Sequence, residues 1–295
     1  MQLPPELRRG PFLVRDGIAI GVSAERLRNR ELDRPYWGIR ALDTSDDVAS
    51  RARAFSLRMP PRAFYLGETA AALHGLPLPL RSGPDALLHV GVPTGTRRVT
   101  ARGIQSHHLD VDPADLATSR GISLTSVERT WIDLAASGRL ELGQLVAIGD
   151  ALLWRRNPRS SIRLLTSALD RYRGRRGRAV LRSALPLLTD HADSPAESVL
   201  RVAIVRSGLP TPRVNAPLVD VGGHFLATPD LSWPAQKVVL EYEGDHHRSD
   251  KRQWHIDLER YATLQDAGFT VVRAAAPDLR DPARILARLR RLLNP

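Results

Sequence analysis

Apolar and polar positions change period several times along this chain, and each change marks a predicted element. Over the first 58 residues no long stripe is sustained. Ser23 is placed to cap a short helix over 24–30, and Arg34-Pro35 then breaks into the strand-like run Tyr36-Trp37-Gly38-Ile39-Arg40. From Phe64 to Trp154 the pattern is that of a mixed α/β unit: an Ala-rich helix from Gly67 stops at Gly75 and Pro77, and apolar strands follow over 86–92 and 99–107. Thr125-Ser-Val-Glu128 reads as a capping box that opens a helix through Trp131, Ile132, Leu134 and Ala135.

The pattern is sharpest from Asp193 to Arg273. Ser194-Pro195-Ala196-Glu197 has a capping Ser, Pro in the first turn and Glu three residues on, and predicts a helix to Gly208. Leu218–Val221, the Gly222-Gly223 turn and His224–Trp233 form a hairpin signature, with a further strand after Pro234. In Lys237–Glu243 the period of two sets Lys237, Val239, Glu241 and Glu243 on one face against Val238, Leu240 and Tyr242 on the other. A helix is predicted over 249–267, with Trp254, Leu258, Tyr261 and Leu264 along its apolar stripe, and Gly268 ends it before the strand Phe269–Arg273. The expected class is α/β, in a multidomain chain of 295 residues, long for one domain at about 150 residues each. The expected bounds are 1–60, 61–154, an Arg-rich connecting segment 155–190, and 191–295.

Composition narrows the functional classes. Hydrophobic residues at 42% and charged residues at 25% are ordinary globular usage, which excludes disordered, fibrous and membrane-spanning readings of the whole chain. No apolar run reaches 18 residues and the N-terminal stretch has no signal-like core, so a cytoplasmic location and no membrane partner are expected. There is no cysteine, so disulfides, thiolate metal sites and Cys nucleophiles are all removed, and any metal must be held by oxygen or imidazole.

The net charge of +11 points to an acidic partner, nucleic acid first. It is concentrated: Arg155 to Arg182 holds ten arginines against the single acid Asp170, and the remainder of the chain is close to neutral. Both a solvated connection and a phosphate-contacting strip fit that segment, which includes Arg175 and Arg176. In the N-terminal part, Arg26 and Arg28 lie along the short helix, an arrangement that suits a winged helix with its helix in a major groove.

The candidate chemistry lies on the strand before Gly244. Glu241 and Glu243 are neighbours on one sheet face, where burial and mutual repulsion both disfavour charge, so a positive group is expected beside them. With no thiolates and several carboxylates, Mg²⁺ or Mn²⁺ suits that role, with Asp230 on the adjacent strand sharing the ion. His246 and His247 follow the turn, as general base, metal ligand or phosphate contact. Other features have ordinary explanations. His107, His108 and Asp110 read as surface polar residues, Lys237 as a strand-start lysine, and Asp257 with Arg260 as an exposed ion pair on one helix. A capping role also accounts for Glu197.

Asp230, then Glu241-Tyr-Glu-Gly-Asp-His-His247, Asp257, Arg260, Gly268 and Val271-Val-Arg273 together resemble the very-short-patch-repair-like branch of the restriction-endonuclease-like superfamily, over about the last 105 residues. The resemblance implies Mg²⁺-dependent phosphodiester hydrolysis, with Asp230 as the first acid, Glu241 as the second and Glu197 as the acid of the preceding helix. Glu243 stands where that superfamily has a Lys, a departure that puts activity in question; Glu243, His246 or His247 would then handle the water's proton. Arg248, Lys251 and Arg252 would grip phosphates. The first 185 residues resemble the antitoxin-like module of the AbiEi family, a winged helix followed by an α/β domain. The resemblance rests on Phe12–Leu42, Gly67–Pro77 and Gly121–Ala135. It implies DNA as partner, and as alternatives a non-catalytic antitoxin-like regulator or a module that binds a toxin protein.

Overall fold

The computed structural model describes residues 3–42, 45–79, 86–244 and 260–293. At the N-terminus β1 (Phe12–Leu13) and β2 (Ile39–Arg40) pair antiparallel, and between them run α1 (Val14–Ala19) and α2 (Ala24–Arg28). Ser23 Oγ accepts the Arg26 N–H at 3.2 Å, the predicted cap. The strand expected over 36–40 is reduced to its last two residues, because Gly38 turns the backbone at φ +75°. Leu3, Leu7, Phe12, Val22, Leu27 and Leu32 close a small core beneath these elements.

The chain continues through α3 (Val48–Ser56), β3 (Phe64–Tyr65), α4 (Gly67–His74), β4 (Leu88–Val92), β5 (Ile104–His108), β6 (Leu116–Ser119), β7 (Ile122–Thr125) and α5 (Val127–Ser137). The strands form one mixed sheet in the order β5-β4-β3-β7-β6. Gly75 ends α4 in the left-handed conformation at φ +66°, as its position after the Ala-rich run predicts. Two expectations shift. β5 begins at Ile104 rather than Val99, since Gly103 at φ +74° interrupts the extended run. The cap of α5 is Ser126, whose Oγ accepts the Arg129 N–H at 3.2 Å, while Thr125 Oγ1 bonds Thr130 Oγ1 at 2.8 Å.

Next come α6 (Leu142–Leu153), α7 (Ile162–Arg171), α8 (Arg178–Ala184) and α9 (Pro195–Arg206), so helices run through most of the Arg-rich segment. The chain divides into two units, Met1–Ser137 with Ser167–Arg175, and Gly138–Thr166 with Arg176–Pro295. Within the first, buried Arg129 bonds Asp115 at 3.1 Å and Asp133 at 2.8 Å, and Arg171 reaches Asp115 at 2.8 Å.

The second unit continues with β8 (Arg213–Val214), β9 (Leu218–Val219), β10 (Phe225–Ala227), β11 (Leu231–Trp233) and β12 (Val238–Glu243). After them come the helix α10 at 260–266, β13 (Thr270–Ala275), α11 (Ala276–Arg280) and α12 (Ala283–Leu293). Its main sheet has the order β13-β12-β11-β8, with β12 and β13 parallel and the other pairs antiparallel. The single strand expected over 224–233 is two strands in two sheets, β10 pairing with β9 and β11 with β12. The break falls at Thr228-Pro229-Asp230, where Pro229 has no N–H to give a ladder and the Asp230 side chain takes over a backbone donor. The alternation in β12 is realised with both faces covered: Leu200, Leu231, Val238, Leu240 and Leu289 share one core, and Leu218, Val239, Leu264 and Phe269 the other. Among the described residues, the fold is mixed α/β with several sheets, and no helix is long and apolar enough to cross a membrane.

Candidate active site

Two of the predicted acids, Glu197 and Asp230, act on each other at the end of the main sheet, and Glu241 stands across the strand pair from Asp230. Glu197 is brought there by the start of α9. Ser194 Oγ accepts the Glu197 N–H at 3.3 Å, and Glu197 Oε2 reaches back to accept the Asp193 N–H at 3.0 Å, one residue before the cap. The same oxygen accepts Asn215 Nδ2–H at 2.6 Å. Asn215 holds φ +42°, a conformation Asn tolerates better than most residues, and its N–H donates to the Asp230 carbonyl at 3.0 Å.

Asp230 precedes β11 by one residue. Because Leu231 stands opposite Leu240 in the antiparallel pair, the register carries Asp230 across from Glu241. Asp230 Oδ2 accepts the Tyr242 N–H at 2.7 Å, which holds the carboxylate at the strand end. Its charge also acts on Glu197: burial first, and then Asp230, push the Glu197 carboxyl above the usual carboxylate range against three hydrogen bonds that lower it.

Glu241 is buried, 4% exposed, on the face of β12 opposite Leu240. The parallel register sets it beside Arg273 of β13, and Arg260 Nη2 of α10 lies 3.6 Å from Glu241 Oε2, farther than a direct hydrogen bond. Glu243 is half-exposed at the strand end, with Oε1 3.2 Å from Arg273 Nη1. Tyr261 lies under both cations, Arg273 at 4.3 Å and Arg260 at 5.5 Å from its ring centre, and burial followed by the Glu241 charge raises its hydroxyl pKa. The positive charge that the paired acids require is thus partly supplied by two arginines of the chain. Arg260, expected in an ion pair with Asp257, lies beside Glu241; Asp257 itself lies outside the described residues, and so does that pairing.

The remaining predicted residues are spread out. Arg26 is ion-paired to Glu31 at 2.9 Å, Arg28 Nε donates to the Ala24 carbonyl of its own helix at 3.2 Å, and Arg175 and Arg176 are exposed between α7 and α8. His246, His247, Arg248, Lys251 and Arg252 lie outside the described residues. Lys237 Nζ donates to the Ala267 carbonyl at 2.9 Å, a structural tie at the start of β12. His107 is half-buried rather than a surface residue, with its Nε2 3.0 Å from His89 Nδ1, and burial lowers its pKa.

The donor set at the sheet end fits Mg²⁺ in chemistry and in number. Mg²⁺ is held by one or two carboxylates and keeps water or phosphate oxygens for the rest of its shell, and Asp230 and Glu241 are two carboxylates at positions that the β11–β12 register, continued by one residue, sets across from one another. An all-protein cage is a different matter: among the described residues no three or more His, Asp or Glu side chains form a group able to hold an ion. Arg260, Arg273 and Asn215 were not singled out from the sequence as partners of the acids. The signal for Arg273 was available, since a parallel β-α-β unit with Gly268 at its turn sets β13 beside β12. For Asn215 only its tolerance of positive φ distinguishes it.

The chain is 27% identical over 270 residues to two uncharacterized proteins of Mycobacterium tuberculosis, from strains CDC 1551 / Oshkosh and ATCC 25618 / H37Rv, covering 91% of this chain and 95% of each of them. No family model matches the chain. No solved structure matches it significantly.

Proposed function

We propose that the chain is a DNA-directed protein whose second unit carries a divalent-metal phosphodiesterase site of the restriction-endonuclease-like kind, and whose first unit opens with a winged-helix, antitoxin-like module. The observation that carries the reading is Asp230 held across from Glu241, with Glu197 within its field. The strand–helix–helix–strand order of β1, α1, α2 and β2 supports the winged-helix half.

In this reading Asp230 and Glu241 hold Mg²⁺ or Mn²⁺. The bound ion supplies a Lewis acid for a phosphoryl oxygen and lowers the pKa of a water. The Tyr242 N–H orients Asp230, and Asn215 with the Asp193 N–H fixes Glu197. Glu197, its pKa raised, is suited to hold or release a proton close to Asp230. Arg260 and Arg273 are placed to exchange their carboxylate partners for substrate phosphate oxygens.

Purified protein incubated with plasmid and single-stranded DNA in Mg²⁺, Mn²⁺ or EDTA tests this. Cleavage is expected with metal only, and Asp230→Ala and Glu241→Ala each lower it by about a hundredfold or more, the scale of losing a principal charge-stabilising group. Undiminished cleavage in both variants removes the site assignment. One observation favours a second reading, a non-catalytic DNA-binding regulator: Glu243, in the Lys position of the resemblance, is neutralised by Arg273, and Glu241 faces Arg260. That reading predicts tight binding of the protein to its own promoter with no cleavage of DNA or RNA in any metal.

A further inference from the structure

Trp37 is the most exposed aromatic residue among those described, at 84%. Tryptophan at such exposure is uncommon on a surface that meets only water. Arg58 meets it twice: Nη1 donates to the Trp37 backbone carbonyl at 2.8 Å, and the guanidinium lies 4.9 Å from the ring centre. Trp37 is one of the residues lining a groove of about 790 Å³ formed by β1, α1, β2 and the residues after α3. Arg15, Arg34, Arg40 and Arg58 line it, together with the exposed apolar side chains of Ile18 and Leu57. Arg34 and Arg40 are braced by donating to the Arg28 and Leu27 carbonyls at 2.6 and 2.7 Å, which orders their forks before any ligand arrives. No acid lines the groove; of the two acids next in sequence to its arginines, Asp16 pairs with Arg15 at 3.5 Å on the surface and Asp33 is bridged through its backbone to Ala41.

Four guanidinium groups around an apolar floor, with a flat aromatic face on offer, match a ligand that is both anionic and planar. A duplex hides its base faces in its own stack, whereas an unpaired strand presents bases and phosphates together. We infer that this groove binds a single-stranded segment of nucleic acid, with one unpaired base stacked on Trp37 and the flanking phosphates on Arg15, Arg34 and Arg40. The inference rests on the nucleic-acid partner proposed above but not on the acidic site, and the test separates the two.

Fluorescence anisotropy in EDTA, where no metal-dependent cleavage runs, would compare a dye-labelled single-stranded oligonucleotide with a hairpin duplex of the same sequence. Trp37→Ala is expected to weaken the single strand by about 5- to 150-fold, the range of losing one stacked base, with duplex binding changed less than about twofold. Trp37→Phe recovers most of the loss. Thermal melting of each variant confirms that the fold is kept. Equal losses on both nucleic acids, or no loss on the single strand, overturn the inference. So does a concentration-dependent dimer that Trp37→Ala abolishes while oligonucleotide binding is unchanged. Failure of the acidic-site reading looks different: single-strand binding would persist and depend on Trp37, while no DNA is cut in any metal.

Discussion

Glu197 carries two loads at once. Its side chain ties the start of α9 to Asn215 and to the Asp193 backbone, and its charge opposes that of Asp230 in a buried setting. Because its pKa is raised in the folded chain, the stability it contributes is fully present below its unfolded pKa and is lost as pH rises through the folded value. Glu197→Gln keeps an acceptor for both donors without the charge. Urea unfolding at about pH 4 should therefore show the variant within about 1 kcal/mol of the parent, with a relative gain at about pH 7. A variant less stable at about pH 7 than at pH 4, relative to the parent, contradicts the assignment. At this scale much was legible: the Ser-Pro-Ala-Glu start and the alternation through Glu243 identify side chains and faces, because capping and strand period are local. Arg260 and Arg273 were not read as partners of the acids, since their meeting with Glu241 and Glu243 depends on the β12–β13 pairing across a long crossover.

Elements are joined by buried polar clasps as much as by apolar packing. Asp150 of α6, with its side chain 2% exposed, accepts Ser198 Oγ–H and Arg201 Nη2–H from α9, each at 2.7 Å, and the Thr189 N–H at 2.8 Å. Burial pushes its carboxyl up, and Arg201 and the hydrogen bonds oppose that shift. Asp150→Ala leaves the Arg201 guanidinium buried without its carboxylate. It should cost about 3–5 kcal/mol in chemical denaturation; a loss below about 1 kcal/mol shows that the clasp does not hold the two helices. A packing counterpart lies in the first unit, where a Cβ on Gly91 of β4 would stand 2.5 Å from the Phe64 ring of β3. Gly91→Ala should cost about 1–3 kcal/mol by the same measurement. Element ends were the less legible part. The run 224–233 reads as one strand because its apolar positions continue past Pro229; it divides because Pro229 has no N–H for a ladder and, as the hydrogen bond from Tyr242 shows, the Asp230 side chain takes over a backbone donor.

For the whole molecule, net charge of +11 is a property of one segment more than of a surface, and part of that segment is already used internally. Arg155 and Arg156 face Asp193 at 3.3 and 3.5 Å, and Arg171 faces Asp115. No more than seven of the ten arginines between 155 and 182 are then available to phosphates, so the strip's part of the log-affinity slope against log salt should be no steeper than about −6 on duplex DNA. The difference in slope between the parent and a variant with those arginines neutralised measures it, and a steeper contribution contradicts the internal pairing.

The central claim, that Asp230 and Glu241 form a divalent-cation site, is tested most directly by titrating Mn²⁺ into the metal-free protein under calorimetric or paramagnetic readout. One saturable site is predicted, competed by Mg²⁺ and lost in both Asp230→Asn and Glu241→Gln. No saturable binding, or binding that survives both substitutions, would contradict the account.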